Sequence, residues 1–115
     1  MGRRNRQRTK LSPPVSEYRG TEGEVLALRG SLTPAARREY AEVLTGGLHR
    51  DDAWQRATEL LFERLAVSWT ISGLAIEHQK ELLARYRVAT ASERTFVRDS
   101  LREHVAEHFP ELEAP

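Results

Sequence analysis

A chain of 115 residues, 39% hydrophobic and 30% charged, suits one small domain and leaves no room for a large two-domain enzyme. No apolar run approaches the ~20 residues that span a bilayer, and the arginine-rich start lacks the apolar middle of a secretory signal; a soluble, cytoplasmic protein with no membrane partner is expected. Cysteine is absent, which excludes disulfides, thiol chemistry and cysteine-based zinc sites, and the net charge is only +1.

That small net charge hides a segregation. Met1 to Lys10 holds Arg3, Arg4, Arg6, Arg8 and Lys10 with no acid; this segment carries +5 and the remainder −4, the difference from the net +1. Composition also speaks of origin. Only Lys10 and Lys80 among the 18 basic residues are lysine, Asn5 is the only asparagine, and Ile71 and Ile76 are the only isoleucines. Such codon usage points to a high-GC source, bacterial or phage.

In chain order, residues 1–16 read as a disordered arginine-rich arm, because Ser12-Pro13-Pro14 favours extended backbone and no apolar periodicity is present. Residues 17–32 form either a short helix over Glu24 to Leu28, bounded by Gly23 and Gly30, or an extended strip on the core. Residues 33–109 read as the helical domain. Thr33 offers an N-cap hydroxyl before Pro34 at the first helical position, and Gly46-Gly47 ends that helix. Asp51 or Asp52 is expected to cap a long second helix, in which Trp54, Ala57, Leu61, Leu65 and Trp69 recur at i, i+3/i+4. Ser72-Gly73 breaks it. Val67, Trp69 and Ile71 alternate, yet the run is short and no Asn-Gly or Asp-Gly turn is present; the segment is assigned to the fraying end of helix two. A third helix spans Ile76 to Arg87. Thr90 and Glu93 then form a capping box for a fourth helix, which presents Val97, Leu101, Val105 and His108 or Phe109 before Pro110. Residues 110–115 read as a loose acidic tail. The expected fold is all-α: a small bundle of four main helices with a disordered basic N-terminal arm.

The residue chemistry points to binding rather than catalysis. Arg3, Arg4, Arg6, Arg8 and Lys10 can each meet a phosphate, so the arm is expected to contact nucleic acid or another polyanion. No aromatic is interleaved with them, which leaves base stacking unsupported. A helix-turn-helix around Ser72-Gly73 is disfavoured by the bulky Trp69 at its tight position and by the mixed charge of Glu77, Lys80, Glu81 and Arg85. His104 and His108 share a helix face with Glu103 and Glu107, but zinc needs further ligands and Val105, not glutamate, follows His104. Their expected role is at the negative end of the helix dipole, and no metal or cofactor is expected. Ser68, Ser72 and Ser100 lack a nucleophile elbow, Asp51-Asp52 reads as a cap, and no glycine cluster forms a phosphate loop with a lysine. No enzyme is expected. Trp54 and Trp69 are either core or, for at least one of them, the anchor of a protein interface or of self-association. The expected function is therefore a non-enzymatic helical adaptor whose arm contacts nucleic acid while its body docks on protein. The alternative is an assembly factor, small subunit or chaperone of a phage-like particle that acts through protein contacts only.

Overall fold

The computed structural model describes residues 14–47 and 49–115. Their elements are β1 (Val15–Arg19), β2 (Val25–Arg29), α1 (Pro34–Thr45), α2 (Arg50–Leu65), β3 (Ala66–Ile71), β4 (Leu74–Ile76), α3 (Gln79–Arg87) and α4 (Ala91–His108). The all-α helical bundle is thereby corrected: four helices pack with a four-stranded antiparallel sheet of order β1-β2-β3-β4. Val15–Arg29 forms a hairpin rather than a helix, which takes Val15 and Ser16 out of the arm expected over residues 1–16, and Ala66–Ile71 is a strand rather than the frayed end of α2.

Local chemistry explains both hairpins. Between β1 and β2, Gly23 N–H donates to the Gly20 carbonyl at 3.3 Å, and Gly23 itself sits at φ +83. A turn followed by a left-handed glycine is the common three-residue hairpin connection. Between β3 and β4 the two loop residues, Ser72 and Gly73, have φ of 52 and 81, so both occupy the left-handed region that a tight hairpin of the primed type requires. Helix α2 passes into β3 with no connecting residue, the backbone switching to an extended conformation at Ala66.

The helix ends follow the expected rules, with one exception. Thr33 Oγ1 accepts from Ala36 N–H at 3.1 Å ahead of Pro34, and Thr90 and Glu93 form a reciprocal capping box. The cap of α2 is His49, whose Nδ1 accepts from Asp51 N–H at 3.4 Å; Asp51 and Asp52 instead occupy the first turn, where their charge meets the positive end of the helix dipole.

Alternation along the strands sends Ser16, Tyr18, Leu26, Leu28, Trp69 and Ile76 towards the helices. A bulge opposite Ala27 and Leu28 keeps Ala66 on that face as well. The core is closed by Tyr40 from α1, Ala57, Leu61, Phe62 and Leu65 from α2, Leu82 and Tyr86 from α3, and Val97, Leu101 and Val105 from α4. Trp69 lies at its centre, fully buried, edge-on to Phe62 with ring centroids 5.6 Å apart. The opposite sheet face carries two cross-strand rows, Glu17-Ala27-Ser68 and Arg19-Val25-Thr70-Ala75. After α4 the chain turns back along α1: Phe109 is buried, Leu112 packs on the core, and Tyr40 donates its hydroxyl hydrogen bond to the Glu113 carbonyl. Arg37 and Glu111 form an ion pair beside it.

Candidate functional site

Helix α4 crosses the β1–β2 hairpin, and the contact is polar where a small core is usually apolar. His104 is fully buried there. Its Nε2 lies 2.8 Å from the Arg29 carbonyl oxygen, which can only accept, so Nε2 carries the proton. Nδ1 is then the acceptor, and it receives the Tyr18 hydroxyl at 2.8 Å. Burial lowers the His104 pKa, against the Arg29 hydrogen bond, and the neighbouring His108 lowers it further. The two imidazoles are 4.4 Å apart between centroids, and His108 Nε2 reaches Ser16 Oγ at 3.3 Å. Burial also raises the Tyr18 pKa, assisted by the carboxylates of Glu107 and Glu103.

This arrangement joins the last two turns of the chain's final helix to its first described strand. Both ring nitrogens of His104 are committed to protein partners, and the described residues contain no group of three histidine, aspartate or glutamate side chains able to hold a metal ion. The sequence showed the His104–His108 pair but not Ser16 and Tyr18, which lie 92 and 86 residues away along the chain. The only signal available was a serine and a tyrosine two residues apart in an alternating segment.

Arg3, Arg4, Arg6, Arg8 and Lys10 lie outside the described residues. Trp69 is 0% exposed and serves the core, whereas Trp54 is half-buried on α2. Trp54 borders a groove of about 380 Å3 with Thr58, Tyr86, Arg94 and Arg98. The Arg94 guanidinium lies over the Tyr86 ring, 5.3 Å from its centroid, and its Nη2 donates to the Arg87 carbonyl at 2.8 Å. The two tryptophans therefore do not form one surface. Among the described residues, no helix is long and apolar enough to cross a membrane. Compared with family models, curated proteins and solved structures, the chain matches none.

Proposed function

We propose that the chain is a non-enzymatic binding protein whose basic arm contacts nucleic acid or a similar polyanion while the folded body docks on protein. The carrying observation is the charge segregation: +5 in the first ten residues against −4 in all that follows. An acidic body is repelled by phosphate, so the attraction is confined to the arm, and binding of this kind is salt-dependent and largely blind to sequence. On the body, the half-buried Trp54 beside Arg98 supplies the residue types that dominate protein interfaces.

A salt series tests the arm. If Arg3, Arg4, Arg6, Arg8 and Lys10 each neutralise one phosphate, the log–log salt slope on duplex DNA approaches about −0.9 per contact. Replacing Arg4 and Arg6 by alanine flattens the slope by roughly two contacts' worth and weakens all sequences alike. Anisotropy titrations at several salt concentrations measure this. Absence of binding at low salt removes the polyanion role. It would leave the second reading, an assembly factor of a phage-like particle working by protein contacts alone, which is favoured by the small and β-branched side chains of Val25, Thr70 and Ala75 on the sheet face opposite the core.

A further inference from the structure

Among the described residues, strand β1 is the sheet's end strand, paired only with β2. Gly30 N–H donates to the Pro14 carbonyl at 2.7 Å, and Gly20 N–H to the Glu24 carbonyl at 2.9 Å. In an antiparallel ladder these directions alternate, so Ser16 and Tyr18 spend their backbone groups on β2. The N–H and C=O groups of Val15, Glu17 and Arg19 consequently point away from the sheet, a row of donors and acceptors that an added strand can use. Beside this edge runs a groove of about 450 Å3 between β1 and α4. Its walls are Tyr18 and the half-buried Phe96, its floor is Ser100 (4% exposed), and its rim carries Asp99 and Glu103 from α4 and, from β1, Glu17 and Arg19, which pair with each other at 3.3 Å. Asp99 pairs with Arg102 at 3.6 Å, whereas Glu103 has no ion pair among the described residues. The negative field is felt locally, since Glu107 and Glu103 both help to raise the Tyr18 pKa.

We propose that the free edge of β1 accepts an extended segment of a partner protein that carries arginine or lysine at every second position. The segment adds to the sheet as a further strand. Alternate side chains of an added strand fall on the core side of the sheet, and at this edge that side is the groove. A long basic side chain fits it at both ends: the aliphatic stem lies against Phe96 and Tyr18, and the cationic head reaches Asp99 and Glu103. An acidic segment meets the like charge of Asp99 and Glu103, and a purely apolar one leaves Glu103 unanswered. The proposal rests on the protein-docking half of the function above and not on its nucleic-acid half; a flat result in the salt series leaves it standing.

The test is anisotropy titration of the full chain with a short labelled peptide of alternating arginine and threonine. The reference probe has the same composition with its arginines in one block. The alternating peptide is expected to bind saturably and at least about tenfold more tightly than the block peptide, a difference worth roughly one or two hydrogen bonds. Glu17→Pro removes an outward N–H without removing any ladder bond to β2, and should weaken the alternating peptide by about tenfold or more. Asp99→Asn with Glu103→Gln should weaken it similarly, whereas Glu39→Gln with Glu42→Gln on α1, the same change in net charge, should not. Circular dichroism verifies each variant's fold, and the Asp99/Glu103 pair carries the test if Glu17→Pro does not fold. Equal affinity for both peptides, absence of binding, or indifference to the Asp99/Glu103 replacements overturns the proposal. A concentration-dependent dimer abolished by Glu17→Pro would make a second copy the occupant and overturn it as well.

Discussion

Both ring nitrogens of His104 are engaged in the fold, and the ring is enclosed by Tyr18, His108 and Phe109. Protonation would place a second proton on Nδ1, facing the Tyr18 hydroxyl that now donates to it. The folded state therefore binds this proton less readily than the unfolded chain, where histidine titrates near ~6.5. The sign follows from linkage: the unfolded state takes up the proton first as pH falls, so the contribution of His104 is fully present above ~6.5 and is lost as pH descends towards its lowered folded value. Melting temperature against pH should fall through this range in the parent protein, and His104→Gln should show a shallower fall from a lower starting stability. A parallel pH profile in the two proteins would contradict the assignment. Trp69 presents the converse economy at the same scale. Its indole Nε1 is buried with no hydrogen-bond partner. That costs about 1–3 kcal/mol, yet burying an indole of ~200 Å2 at ~25 cal/mol per Å2 gains roughly 5 kcal/mol, so the core keeps it.

Among the elements, the β3–β4 hairpin depends most on a single backbone conformation. Ser72 at φ 52 carries a Cβ where asparagine or glycine is favoured. Ser72→Asn should therefore raise the melting temperature slightly, and Ser72→Val should cost about 1–2 kcal/mol; thermal or denaturant unfolding measures both. The same residue explains why the strands were hard to read. The helices are legible because their signals are local: Thr33-Pro34, Gly46-Gly47, and Thr90 with Glu93 each announce an end within four residues. The hairpins use Ser-Gly and a Gly20–Gly23 turn, in place of the Asn-Gly pair that usually marks such a loop. On β1, the core-facing positions are Ser16 and Tyr18, whose partners are histidines near the far end of the chain, so no hydrophobic alternation marks the strand. On β3, Trp69 falls four residues after Leu65 and continues the helical spacing by coincidence, although the chain has already become extended at Ala66. The candidate site divides in the same way: His104 and His108 are visible as a pair and the arm as a charge run, but the groove beside β1 exists only once α4 lies across the hairpin.

At the scale of the whole molecule, the boundary of the body matters to any experiment that removes the arm. Strand β1 begins at Val15, inside the segment 1–16, and both Val15 and Ser16 pair with β2. Deleting residues 1–10 leaves the strand whole. Deleting residues 1–16 removes the pairings with Arg29 and Leu28 together with the Ser16–His108 bond. The longer deletion should melt at a lower temperature than the shorter one, by roughly 4–8 °C for each kcal/mol lost; equal melting of the two would show that β1 contributes nothing before Glu17. The connection from β2 to β3 has a different kind of consequence. These strands are neighbours in the sheet, yet α1 and α2 lie between them in the chain, whereas β1–β2 and β3–β4 are each joined by a short turn. Each hairpin can form alone on a microsecond timescale, but joining them requires the intervening helical pair to fold back and close a long loop. The connectivity thus predicts an order of assembly, two transient local ribbons first and one slow closure last, with the seam between Ala27 and Ser68 as the contact made latest.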